Sequence, residues 1–92
     1  MSAEPIALDA VPRVSARFRL QFEEAQTAWV LLYPEGMVRL SPSAAAILTR
    51  ADGTRTVQGL VHSLEQAFPG ADLRDDVLDF LRLAGERGWI TV

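Results

Sequence analysis

"LLYPEGMVRLS", residues 31–41, decides how this chain is read. An apolar run ends at Pro34-Glu35-Gly36, and a shorter run follows, Met37-Val38-Arg39-Leu40, with apolar groups on both sides and one cation. Proline pre-sets φ at the first turn position and Gly36 suits a positive φ, which predicts a three-residue bulged hairpin turn. Ser41-Pro42 then reads as a helix start: a hydroxyl to cap, and a proline where no N–H is needed. A return strand of this kind is either a sheet edge covered by a helix or an edge left open for a partner.

Upstream, RFRLQF (residues 17–22) alternates strictly and puts Phe18, Leu20 and Phe22 on one face of a half-buried strand. EEAQ (23–26) is a polar connection. AWVLLY (28–33) is apolar on both faces and belongs at the centre of a sheet. The three runs predict an antiparallel meander with residues 37–40 at its edge.

Downstream, the first helix continues from Ala44 to Arg50, with Asp52-Gly53 ending it through a left-handed glycine. Thr56 caps a second helix whose Val57, Leu60, Val61, Leu64 and Phe68 form one buried stripe, and Pro69-Gly70 stops it. Asp72 caps a third helix, with Asp75 and Asp76 favourably placed in its first turn. Gly85 and Gly88 mark its end, and WITV (89–92) forms a short terminal strand. The predicted fold class is α+β, winged-helix-like: a three-stranded antiparallel meander followed by three helices.

At 92 residues the chain has room for one core. Residues 17–92 are expected to form the domain, and residues 1–16, with Glu4, Asp9 and two prolines, an extended or mobile lead-in. That lead-in lacks the basic start and continuous apolar stretch of a signal peptide. No segment approaches the ~20 apolar residues of a membrane span, so a soluble, cytoplasmic protein is expected. There is no cysteine, hence no disulfide framework and no thiol nucleophile.

Catalytic chemistry is poorly served. His62 is the only histidine and falls off the buried stripe of its helix, with no second His or Cys to build a metal site. No Gly-x-Ser-x-Gly turn and no glycine-rich phosphate loop occur. Asp72, Asp75, Asp76 and Asp79 fit a capped helix start better than a calcium loop, whose central glycine and final glutamate are missing. Neither catalytic residue, metal nor cofactor is expected.

The third helix carries a surplus. Leu73, Val77, Phe80 and Ala84 make a core stripe, and Leu78, Leu81 and Leu83 widen it beyond the band that one-sided packing requires. Either one flank rests under a neighbouring loop or it forms the wall of a groove. Three helices and a hairpin also suggest a winged-helix DNA-binding regulator, with this helix in the major groove. Its Asp72, Asp75, Asp76, Asp79 and Glu86 outnumber Arg74, Arg82 and Arg87, and the net charge is −3, which opposes contact with a polyanion.

The string RFRLQFEEAQTAWVLLYPEGMVRLS, followed by AAAIL, DGTRTV, DDVLDFL and GW, resembles the PqqD family of pyrroloquinoline quinone (PQQ) biosynthesis. These are recognition elements for precursor peptides that are ribosomally made and then modified. The likeness runs from about Arg17 onward, and LLYPEG (31–36), followed by a short strand and a serine-initiated helix, is its most specific part; Ala46 departs from it, where a more polar residue is expected. The resemblance implies a non-enzymatic adaptor that binds the PQQ precursor peptide and presents it to a radical S-adenosylmethionine enzyme, which cross-links a glutamate and a tyrosine. It implies that the peptide adds as a strand beside Met37, Val38, Arg39, Leu40 and Ser41. The peptide would then pack on the third helix at Asp76, Val77, Phe80, Leu81, Leu83 and Ala84. Arg39 would meet an acidic peptide residue. The same edge could instead pair with a second copy, giving a homodimer.

Overall fold

The computed structural model describes residues 6–92, so residues 1–5 of the lead-in lie outside the described residues. The order of elements is β1 (Arg13–Val14), β2 (Arg19–Glu23), β3 (Ala28–Tyr33), β4 (Gly36–Arg39), α1 (Pro42–Leu48), α2 (Val57–Ala67), α3 (Arg74–Glu86) and β5 (Ile90–Thr91). The meander is as expected: β2, β3 and β4 form an antiparallel sheet with β3 in the centre. Leu31 lies between Leu20 and Val38 on the core side, with Phe22 opposite Trp29. On the other face, Val30 lies between Gln21 and Arg39 and is 0% exposed, which is why the central strand is apolar on both sides.

The turn differs from expectation. Tyr33 pairs directly with Gly36, so the loop is the two residues Pro34-Glu35, and Gly36 is a strand residue without positive φ. A three-residue loop would have shifted the pairing by one and set Leu31 opposite Arg39. The observed register instead pairs Leu31 with Val38 on the core face, and burial selects it. The β2–β3 connection does use a left-handed residue, Thr27 at φ 50°.

α1 begins as read: the Ser41 hydroxyl accepts from the Ala44 N–H at 3.2 Å, with proline in the first turn. It ends at Leu48, earlier than expected, and Gly53 at φ +82° belongs to the following loop. There the Gly53 N–H donates to the Pro12 carbonyl at 3.1 Å, and a Cβ on Gly53 would meet the Arg13 side chain. Thr56 caps α2 through the Gly59 N–H at 3.0 Å. Val57, Leu60, Val61 and Leu64 are buried, but Phe68 lies at the C-cap and is 53% exposed, outside the core stripe. Asp72 does not cap α3. Leu73 holds that position without a side-chain cap, and its N–H donates to Glu65 Oε2 at 3.1 Å. At the other end Gly88, at φ +74°, lets Trp89 N–H reach the Ala84 carbonyl (2.8 Å) and its own N–H reach that of Gly85 (3.1 Å). This is a Schellman closure, and it turns the chain into β5.

Residues 6–16 are docked on the domain, with a turn closed by the Ala10 N–H on the Ala7 carbonyl (3.1 Å) before the chain extends into β1. The Leu8 and Ala10 carbonyls accept from Gln58 and Val57 N–H at 3.0 and 2.8 Å, satisfying two of the four donors at the start of α2 that have no partner within the helix. β1 then pairs antiparallel with β5, and Val14 N–H donates to the Ala51 carbonyl at 3.1 Å. The main core joins Leu31 and Leu40 from the sheet to Ala45, Leu48, Leu60, Leu64, Val77 and Leu81 from the helices. No helix among the described residues is long and apolar enough to cross a membrane.

Candidate functional site

The ladder between β3 and β4 shows which groups β4 leaves open. Leu40 N–H donates to the Trp29 carbonyl at 2.9 Å. In an antiparallel pair such bonds recur every second residue, so Val38 and Gly36 also face β3. The backbone N–H and C=O of Met37 and Arg39 therefore point away from the sheet. No strand among the described residues pairs with that edge.

Just past the end of β4, two hollows share Pro42. One, of about 590 Å³, runs between α1 and α3 and is almost wholly apolar. Ile47, Leu64 and Val77 contribute to its lining, with Phe68, Leu73 and Phe80 and a single carboxylate, Asp76. The other, of about 490 Å³, is bounded by Phe22, Trp29, Arg39, Leu40 and Ala45 at the end of the sheet. Phe22 and Trp29 meet edge to face there, with ring centroids 5.7 Å apart.

The expected site residues divide by burial. Met37 (43% exposed), Arg39 and Ser41 are accessible, Val38 is half-buried on the core face, and Leu40 is core. On α3, Asp76 is exposed, Phe80 is half-buried and Val77 is buried within the groove lining. Leu81 and Ala84, both 0% exposed, are core and cannot be reached from outside, which corrects their assignment to a groove wall. Leu83 is exposed and lies outside the groove lining, yet it follows Asp76 and Phe80 at i+7 and i+3 and so extends their ridge.

Sequence reasoning missed the α1 side of the groove, Ser43, Ala46 and Ile47, and also Phe68. The signal available was Phe68 directly before Pro69-Gly70, since an apolar residue on a helix's last turn has little left to pack against. Ala46, the departure from the family pattern, is part of this lining and not plain helix surface.

Electrostatically the site is sparse. Among the described residues only Arg55–Asp52 (3.5 Å) and Arg82–Asp79 (3.7 Å) form ion pairs, so Arg39 and Asp76 have none. Arg87 lies over the Trp89 ring at 5.5 Å, and Trp89 is 6.4 Å from Phe80, so the α3 wall is backed by an aromatic cluster. Among the described residues no three His, Asp or Glu side chains are placed to hold a metal ion, and His62 is exposed.

An antiparallel meander followed by three helices, with an open edge strand, defines a winged-helix-like α+β domain. The family model of coenzyme PQQ synthesis protein D (PqqD) matches residues 28–90. A "PqqA binding protein" of Azotobacter vinelandii is 50% identical over 84 residues, covering 90% of this chain and 91% of that one. The protein of the same description from Stutzerimonas stutzeri is 50% identical over 86 residues, covering 92% and 94%. A solution NMR structure of the PqqD truncation of Methylobacterium extorquens PqqCD superposes with a TM-score of 0.75 at 30% identity, covering 95% of each chain. It is described as a functional, stand-alone recognition element for ribosomally synthesised and post-translationally modified peptides. The chain belongs to the PqqD family.

Proposed function

We propose that this chain is a non-enzymatic adaptor of PQQ biosynthesis that binds the pathway's precursor peptide as a strand along β4 and presents it to a radical S-adenosylmethionine enzyme. The open backbone edge at Met37 and Arg39, beside an apolar groove, is the observation that carries this reading. The names of the relatives, PqqA binding protein, and the recognition-element description of the NMR structure support it. Two backbone donors and two acceptors would hold the peptide, and the groove would select its side chains. Val77 and Phe80 line that groove, and Leu83 would prolong its wall. No reaction is asked of this chain and no cofactor enters. The adaptor would act in the cytoplasm, where the peptide is synthesised.

The DNA-regulator alternative is disfavoured by the exposed Asp72, Asp75, Asp76 and Asp79 on and before α3. The open edge favours a second use of the same surface, pairing with another copy when peptide is absent. Peptide and dimer would then compete.

The test is an NMR titration with the pathway's precursor peptide, run on the unaltered chain and on Arg39→Pro. Shifts should concentrate on residues 37–43 and on α3, sparing His62. Arg39→Pro removes an outward donor that no internal bond uses, and edge strands tolerate proline, so the fold should persist while affinity falls at least tenfold. Val38→Pro would instead break a bond to β3 and destabilise the sheet. Undiminished binding by folded Arg39→Pro would show that strand addition is the wrong mechanism.

A further inference from the structure

Backbone bonds along an open edge repeat every two residues and are alike for any sequence, so they cannot by themselves select a register. Two side chains in the hollows that meet at Pro42 can. Arg39 and Asp76 are exposed, and neither has an ion pair or side-chain hydrogen bond among the described residues. They stand in different hollows, Arg39 with Phe22 and Trp29, Asp76 with Leu73 and Phe80, and the two hollows meet at Pro42. One end of the surface is thus apolar with a single negative charge, and the other aromatic with a single positive charge.

Resting on the peptide-adaptor reading above, we infer that Asp76 and Arg39 are specificity-determining residues that fix the peptide's register by opposite charge. The α1–α3 groove takes a lysine or arginine whose methylene stem lies along Leu73 and Phe80 and whose cationic head reaches Asp76. Long basic side chains are suited to this, since the stem is apolar and the head stays in water. Arg39 takes a carboxylate of the same peptide. A slip by one residue turns both partners to the wrong face and loses both attractions together. Like charges at either position are repelled, which rejects wrong sequences as well as favouring the right one.

The experiment measures affinity of the pathway's precursor peptide, with Asp76→Lys, Arg39→Glu and Asp79→Lys variants of the chain. Asp79 is one turn away and pairs with Arg82 outside the groove lining, so it controls for overall charge. Circular dichroism confirms that each variant is folded. Asp76→Lys and Arg39→Glu should each weaken binding about tenfold or more at low salt, while Asp79→Lys changes it less than about twofold. Replacing one basic residue of the peptide by glutamate should restore binding to Asp76→Lys alone, and replacing one acidic residue by lysine should restore binding to Arg39→Glu alone. Equal losses for Asp76→Lys and Asp79→Lys, or no single peptide exchange that rescues, would overturn the inference while leaving the adaptor reading intact. If the unaltered chain fails to bind the precursor peptide, both are overturned.

Discussion

Gly36 illustrates how a residue's type can mislead about its place. Glycine after Pro-Glu suggests a left-handed turn position, yet here it is the partner of Tyr33 in the ladder. A Cβ built on it would meet only the Tyr33 side chain, its hydroxyl at 3.5 Å and its Cζ at 3.7 Å, both ordinary contacts. Gly36→Val should therefore leave stability within about 1 kcal/mol, in the stabilising direction, because a β-branched residue suits a strand better than glycine. Thermal melts of the variant check this, and a marked loss of stability would point back to a positive-φ turn. Asp52 gives the other residue-scale expectation. The Thr54 hydroxyl (2.5 Å) and Thr54 N–H (3.0 Å) donate to its carboxylate, and Arg55 adds a smaller attraction. Together they hold its pKa below the usual carboxylate value. Because the folded-state pKa is depressed, the stabilisation is present above the unfolded pKa and is lost as pH falls through the folded one. An NMR titration should show the Asp52 carboxyl titrating below the usual carboxylate range, and Thr54→Val, which removes the hydroxyl donor but keeps the backbone one, should move it part of the way back up.

At the scale of elements, α3 has two apolar flanks with different duties. Leu81, fully buried, belongs to the main core with Leu31, Leu60 and Leu64. Leu81→Ala should cost about 2–5 kcal/mol, the range for emptying a packed leucine site. Leu83, 40% exposed, continues the ridge of Asp76 and Phe80. Leu83→Asp should change stability by less than about 1 kcal/mol yet weaken peptide binding, since it places a charge on an apolar wall. Chemical denaturation of both variants, with peptide affinity for the second, separates the flanks. If Leu83→Asp binds as well as the unaltered chain, the wall ends at Phe80.

For the whole molecule, the lead-in is a structural part. It supplies carbonyls to the first turn of α2 and a strand to β5, so the two ends of the described chain close on each other through Arg13–Thr91 and Val14–Ile90. Ile6, Leu8 and Ala10 also pack against the core. Removing residues 1–11 would strip two hydrogen bonds from a helix start and expose the apolar surface they cover. A loss of about 2–4 kcal/mol follows, and with it a fall in melting temperature on the order of 10 °C or more. Calorimetry on the shortened chain is the check. Its peptide affinity, measured well below the new melting point, should hold, because none of residues 6–11 lines either of the hollows that meet at Pro42.

The meander, the three helices, the caps at Ser41 and Thr56 and the Gly88 stop were legible in the sequence because each is written in a few neighbouring residues. Period-two and period-3.6 patterns, hydroxyls before helices and a glycine after one act locally, and tertiary packing agreed with them. The edge strand was legible for the same reason. Its register was not, since Pro34-Glu35-Gly36 is compatible with two loop lengths and only burial of Leu31 against Val38 chose between them. Nor could the sequence divide the leucines of α3 into core and surface. A helix's own pattern states which residues are apolar, while which of them are covered depends on where α1, α2 and β5 settle. The groove is a property of that arrangement: Ala46, Phe68 and Phe80 lie far apart in the chain and meet only when three helices pack around one core.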